Sequence, residues 1–319
     1  MKKILVIILI ILVLIFLVCV YALIPQKISV VTIRPVYCTL NGAERMILQI
    51  NRWTAWWPNQ GSIQMKSPGN VSPTFIFRDK EYKPGITSIN SLEIDIAKEK
   101  TLTKTELMIL PLSKDSVELE WLCKEIATSA NPLTRIQQYL HARDIKNDLD
   151  AILNQLESYL SKKENIYGIH VNATTVKDSV LISTKFMSSS FPVTTEIYSA
   201  ITTLRKYIAQ QKATETNFPM MHVDRIDSNH FETMIAIPVN KELHETNDIK
   251  TKRMVLGNIV ESDIKGGQET VQTAMQELEN YRKDYGLQSP AIPFASLVTD
   301  RSKEPDTSKW ITKIYYPVY

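Results

Sequence analysis

From Ile4 to Ile24 the side chains are apolar without a break, with no charge, Gly or Pro. As a helix rising about 1.5 Å per residue, such a run reaches roughly 30 Å, the thickness of a bilayer's hydrocarbon core. It follows Met1-Lys2-Lys3 and stops at Pro25. The expectation is one uncleaved membrane-spanning helix, residues 1–25, touching the bilayer through residues 4–24. It is preferred to a signal peptide cut after Ala22, because a signal peptide's apolar core is shorter. It is also preferred to a lipoprotein, because Leu17-Val18 before Cys19 are not the small residues such a site needs. Lys2 and Lys3 favour an N-terminus in the cytoplasm, which puts the rest of the chain outside it.

Beyond the anchor the pattern changes to shorter periods. Lys27 to Tyr37 alternates as a strand does, and Asn41 to Ile50 reads as a short helix with Met46, Ile47 and Ile50 inward. Arg52-Trp53-Thr54-Ala55-Trp56-Trp57-Pro58 follows, then a Gly/Pro/Ser-rich loop from Pro58 to Pro73. Thr74–Phe77, the series Leu92, Ile94, Ile96, then Leu107–Leu112, and Val117, Leu119, Trp121 show the period of two that marks strands with one buried face. The period then lengthens. Leu149, Ile152, Leu153, Leu156 and Leu160 recur at threes and fours, an amphipathic helix from about Pro132 to Lys163, with a break near Arg143-Asp144 left open by the pattern.

The remainder contains a repeat. Thr233-Met234-Ile235-Ala236-Ile237-Pro238-Val239 and Thr312-Lys313-Ile314-Tyr315-Tyr316-Pro317-Val318 are both strands ending in Pro-Val, where a strand tolerates the missing N–H. Upstream of the first lies a helix with Ile197, Ile201, Leu204 and Ile208 on one face; upstream of the second, Val271, Met275 and Leu278 recur at the same spacing. A strand precedes each helix, Val180–Phe186 and Arg253–Val260. The predicted unit is β-α-β-β, present twice, and such internal similarity is strong evidence of architecture.

Charge changes this picture only by exclusion. Residues 25–165 carry 18 basic and 16 acidic side chains, and residues 166–319 carry 17 and 18. Neither half has the basic footprint of a nucleic-acid binder. Three cysteines are too few for a disulfide scaffold, and Cys38 and Cys123 read as half-buried thiols. There is no Gly-x-Ser-x-Gly elbow and no phosphate-binding loop; Gly266-Gly267 lacks the Lys and Ser/Thr of one and serves as helix entry. His141, His170, His222, His230 and His244 show no i, i+4 pair, although His222 and His230 could meet across a hairpin. No metal or cofactor is expected.

Two resemblances sharpen the reading. Ile50-Asn51-Arg52-Trp53-Thr54-Ala55-Trp56-Trp57-Pro58, Ser116-Val117-Glu118-Leu119-Glu120-Trp121 and the helix after Pro132 resemble bacterial polyketide-cyclase-like SRPBCC proteins over residues 26–165. That resemblance implies a helix-grip domain, a curved sheet around a helix, often with an apolar pocket. Trp53, Trp56 and Trp57 are then either core or pocket wall. The strand Val180–Phe186, the helix after Pro192 and the closing segment Trp310–Val318 resemble the gyrase-inhibitor-like domain over residues 166–319. This is also the effector-binding domain of AraC- and MerR-type regulators, and it shares its fold with SOUL haem-binding proteins. It implies a ligand groove between two helices on one face of the sheet, taking lipophilic, often cationic, molecules. Trp310 and Tyr315 match aromatic positions of its closing strand. Lys313 stands where the family often has Glu, so an anionic or neutral ligand enters consideration.

The expected architecture is therefore α+β: a transmembrane helix, a helix-grip domain, then a duplicated β-α-β-β domain with a groove between two helices. The expected function is binding of a small lipophilic or amphipathic molecule, for sensing or sequestration, with no nucleic-acid contact. Candidate binding residues are Phe186, Tyr198, Glu232, Glu261, Phe294, Trp310, Lys313 and Tyr315. No catalytic constellation stands out. The competing readings are a hydrolase of a lipophilic metabolite, with Glu232 or Glu261 as its acid, and an interaction module in a membrane assembly.

Overall fold

The computed structural model describes residues 2–58, 63–64, 73–99, 101–177 and 180–319. The expected loop from Pro58 to Pro73 falls mostly outside them. The chain divides into two compact units, Met1–Lys162 and Lys163–Tyr319.

The first unit opens with α1 (Lys2–Leu23), which is long and apolar enough to cross a membrane, as a signal sequence also is. Next come β1 (Lys27–Val36), α2 (Leu40–Ile47) and the single turn α3 (Trp53–Trp56). Strands β2 (Ile63–Gln64), β3 (Thr74–Phe77), β4 (Lys80–Thr87), β5 (Ser91–Lys98), β6 (Thr101–Ser113) and β7 (Ser116–Ala127) then build an antiparallel sheet. Its order is β1-β7-β6-β5-β4-β3-β2, so the first strand closes onto the last. The unit ends with α4 (Pro132–Leu160). Asn131 caps α4, its side chain accepting from Leu133 N and Thr134 N, and Pro132 supplies the fixed φ that suits a first turn.

Helix α4 runs unbroken through Arg143 and Asp144, where the sequence pattern left a break open. The polar pair is no interruption, because Asp144 is tied to the sheet. Lys80, at the start of β4, has a fully enclosed side chain, and its Nζ donates to Asp144 Oδ2 (2.7 Å) and Asp148 Oδ2 (2.6 Å). Arg78 adds a bond to Asp148 Oδ1 at 2.6 Å. Asp79, Asp144 and Asp148 offer three carboxylates within 4.8 Å, and the Lys80 ammonium bonds to all three. Hydrogen bonding from Lys98 holds the Asp79 carboxyl down at about 2. That from Lys80 lowers Asp144.

The Trp-rich segment is core. Trp53, Trp56, Trp57, Phe75, Tyr82 and Trp121 are all buried, in a chain of rings with neighbouring centroids 4.9–6.3 Å apart. Each indole N–H has a partner: Ile47 O, Met46 O, Ile76 O and, for Trp121, Thr105 Oγ1. A buried indole needs such a partner, and these rings pack against one another in the interior. At the other end of α4, Arg135 donates from Nε to Ile24 O (3.0 Å) and lies over the Tyr21 ring, so its guanidinium caps the end of α1.

Cys38 and Cys123 are unbridged thiols. Cys123 pairs with Val30, while Cys38 lies two residues past the end of β1. From Val30 to the end of β1 at Val36 is roughly 20 Å at about 3.3 Å per residue, and Cys38 lies just beyond that end. Burial pushes Cys38 up to about 12 and Cys123 to about 11.

The second unit begins with α5 (Lys163–Tyr167) and β8 (Asn172–Thr175). Then β9 (Val180–Ser188), α6 (Thr194–Gln210), β10 (Met220–Arg225) and β11 (Phe231–Pro238) form one β-α-β-β run. After β12 (Ile249–Arg253), the strands β13 (Asn258–Lys265), β14 (Phe294–Leu297) and β15 (Ile311–Val318), with α7 (Gln268–Asp284), form the second. The sheet order β12-β9-β11-β10-β14-β15-β13-β8 places the two runs side by side, meeting at β10 and β14.

Two details depart from the sequence expectation. The predicted strand Arg253–Val260 is the end of β12, a connection through Met254–Gly257, and the start of β13. And each run has an extra leading strand that crosses to the other run: β8, which precedes β9, pairs with β13, while β12, which precedes β13, pairs with β9. These edge strands read Asn-Ala-Thr-Thr and Ile-Lys-Thr-Lys-Arg, polar sequences of the kind that keep an edge soluble and carry little apolar periodicity. Gly266, at φ 140, lets the chain turn from β13 into α7; a Cβ there would lie 2.9 Å from Thr270 Oγ1.

Candidate functional site

Residues paired across antiparallel strands share a face, so the register divides the second unit's sheet into two surfaces. Thr184, Ile235, Met221, Ala295 and Ile314 form one continuous row. That face is covered: α6 packs Ile197, Ile201, Leu204 and Ile208 on it, and α7 packs Val271, Ala274 and Leu278. The alternate residues form rows on the opposite face. Ala236, Met220, Ser296 and Lys313 are one row, and Phe294, Tyr315 and Glu261 the next.

The second face is open to two adjoining cavities of about 310 and 270 Å³. Both are lined by Met220, Met254 and Phe294. Leu181, Met234 and Ile292 extend the first, and Tyr315, Lys313 and Glu261 the second. Phe294 and Tyr315 stack with centroids 4.8 Å apart and planes at 20°. Phe218, Val255 and Ile292, each about half exposed (47%, 50% and 49%), border the cavities with apolar surface at the rim. His222 reaches the first cavity with Nδ1 bonded to Pro293 O at 2.8 Å. His230 bonds Asp227 in the β10–β11 turn, so the two histidines do not converge across the hairpin.

The sequence candidates divide between the two faces. Glu261, Phe294, Lys313 and Tyr315 come together in the second cavity. Lys313 pairs with Glu261 (3.4 Å) and Asp263 (3.5 Å). Glu232 lies on the same face of β11, bound to Lys185 at 2.7 Å. Phe186 belongs to the helix-covered face, beside a separate cavity along α6. Tyr198 and Trp310 also stand apart from the open face, in a structural cluster around Arg301. The Tyr198 hydroxyl accepts from Arg301 N (2.7 Å) and donates to Thr299 O (3.2 Å). The Trp310 N–H donates to Glu304 O, and its ring lies under the Arg301 guanidinium at 4.6 Å. Arg301 also reaches Gln268 in the first turn of α7 and Thr312 in β15. Burial lowers the Arg301 pKa and raises that of Tyr198, which keeps the phenol neutral. The four candidates that meet do so on the face opposite α6 and α7 rather than in the expected groove between the helices, and alternation along the strands separates them from Phe186.

Sequence reasoning missed Leu181, Met220, Met254 and Lys252. The available signal was Met220 and Met234, methionines at exposed-face positions of adjacent strands. Met254 and Lys252 had no signal, since the strand boundary there was misplaced.

No protein-family model and no curated protein matches the chain. Solved structures do. The C-terminal domain of EcmrR is 17% identical over 47% of this chain and 98% of that one, with a TM-score of 0.39. A hydrolase from Listeria innocua is 12% identical over 47% of this chain and 91% of its own, with a TM-score of 0.35. SAV2435, in a structure bound to tetraphenylphosphonium, is 13% identical over 47% of this chain and 94% of its own, with a TM-score of 0.34. Likeness at these scores assigns neither ligand nor activity, which have to be argued from the geometry of the chain itself.

Proposed function

We propose that the chain is a membrane-anchored small-molecule-binding protein whose second unit takes a lipophilic or amphipathic ligand on the open face of its sheet. The observation that carries this reading is the pair of adjoining cavities floored by Met220, Phe294 and Tyr315. The first cavity, at about 310 Å³, lies at the lower end of the range of ligand pockets, roughly 300–1,000 Å³, and the second, at about 270 Å³, adjoins it. Methionine adapts its shape at low cost and polarises against aromatic or aliphatic ligands, so Met220, Met234 and Met254 suit a site that admits a class of molecules. The duplicated β-α-β-β unit supports reading this half as a gyrase-inhibitor-like effector-binding module. The order of strand, helix, antiparallel strands and closing helix supports reading the first unit as a helix-grip domain of the polyketide-cyclase-like type. The apolar α1, after Lys2 and Lys3, supports an anchor with both units outside the cytoplasm.

The test is equilibrium titration of the full chain in phosphatidylcholine nanodiscs with tetraphenylborate, tetraphenylphosphonium and triphenylmethanol, empty nanodiscs serving as the blank. At least one binds saturably. The Phe294→Ala/Tyr315→Ala variant, folded by circular dichroism, loses about tenfold in affinity, the order of one stacked pair and its burial. Unchanged affinity would remove the ligand from this face.

A further inference from the structure

Resting on that binding site, we infer that its ligand is an amphipathic organic anion. Among the described residues the two cavities are lined by Lys177, Lys185, Lys252, Arg253 and Lys313, against a single carboxylate, Glu261. The cavity richest in apolar side chains has three of these cations and no carboxylate on its wall. Three of the five cations have outside partners: Glu232 for Lys185, Asp263 for Lys313 and Glu242 for Arg253. Those pairs reduce the positive field without reversing it; Lys252 makes no salt bridge among the described residues, and its charge acts on the Glu245 carboxyl, which it helps to lower.

Position matters as much as number. Lys252 pairs in register with Leu181, so its side chain is on the cleft face, beside the apolar floor. A cationic ligand would need a carboxylate in the same space. Among the described residues that line the cavities Glu261 is the one present, and Lys313 already holds it at 3.4 Å. Displacing that contact leaves the lysine beside the incoming cation. An anion meets no such obstacle: its apolar body covers Met220, Met254 and Phe294, and its charge faces the lysine side of the wall. In a cleft with low-dielectric walls, lining charges of one sign concentrate ligands of the other.

Tetraphenylborate and tetraphenylphosphonium have nearly the same shape and differ in sign, so their affinity ratio isolates charge. In nanodisc-held full chain at low salt, with empty discs subtracted, tetraphenylborate binds about tenfold or more tighter, and the ratio shrinks as salt is added. Lys252→Glu, an exposed edge change, lowers the ratio severalfold. Equal affinities, tighter phosphonium binding or a ratio indifferent to Lys252→Glu would overturn the charge inference while leaving the cleft as a binding site. Saturable binding of neither ion nor of triphenylmethanol would overturn both.

Discussion

Replacing Lys80 with Met should destabilise the first unit by about 3 kcal/mol, the lower end of the cost of leaving a buried charge without its partner. Lys80 and Asp148 are both fully enclosed, and the 2.6 Å contact between them joins β4 to the middle of α4. Methionine keeps most of the volume but leaves the Asp148 carboxylate with Arg78, whose side chain is 52% exposed, and Asp144 with none of its Lys80 bond. The partial rescue by Arg78 is why the upper end of the range is not expected. Changing Asp148 to Leu in the same chain should recover part of the loss, because a matched apolar pair removes the stranded charge. Guanidinium unfolding followed by Trp fluorescence reports this unit, since Trp53, Trp56, Trp57 and Trp121 lie in it and Trp310 does not. A loss below about 1 kcal/mol would show that the pair contributes no more than an exposed one.

The bond between Lys80 and Asp144 sets a pH window. It lowers Asp144 below the ordinary 3.8, so that contribution is present above 3.8 and disappears as pH falls through the lower folded value. For Lys80, burial pulls downward but the bonds and charges of Asp144 and Asp148 outweigh it, raising the ammonium above 10.5. Its contribution is present below 10.5 and disappears as pH rises through the folded value. The difference between the native chain and Lys80→Met is therefore widest between these limits and narrows beyond either.

Trp53→Ala should cost about 3–5 kcal/mol, the range for truncating a large buried aromatic. Trp53 is fully buried, stacks on Trp57 at 5.2 Å and 9°, and gives its N–H to Ile47 O at 2.7 Å. The substitution opens a cavity among Trp56, Trp57 and Phe75 and also leaves a carbonyl without that donor. Trp53→Phe keeps most of the volume and should cost about 1–2 kcal/mol, chiefly the lost hydrogen bond and a partial void. Urea unfolding by circular dichroism separates the two. Equal losses would mean that the hydrogen bond outweighs the packing.

These two sites differ in how far the sequence reveals them. The Trp cluster was visible as a dense aromatic segment before a Pro, and only its role as core or wall needed coordinates. Lys80, Asp144 and Asp148 gave no sign, because a buried ion pair between residues 64 and 68 positions apart has no periodic signature. In the second unit the repeat was legible because Pro-Val strand ends and helical stripes recur. The crossing of β8 and β12 was not, since polar edge strands carry no burial pattern. Glu261, Phe294, Lys313 and Tyr315 were found together because they occupy facing positions on neighbouring strands. Trp310 joins them by the resemblance of its closing segment, and Phe186 and Tyr198 as aromatic residues of the leading strand and helix; the strand pleat and the contacts of Arg301 separate all three from the open face.

Methyl-labelled methionine NMR tests the central claim most directly. Met220, Met234 and Met254 border the cleft, whereas Met46 is buried in the first unit and Met275 is on α7. Titrating tetraphenylborate into the full chain in nanodiscs should shift Met220, Met234 and Met254 along one saturating curve and leave Met46 and Met275 in place. Shifts confined to Met275 or Met46, or none beyond those caused by empty discs, would contradict a binding site on the open face of this sheet.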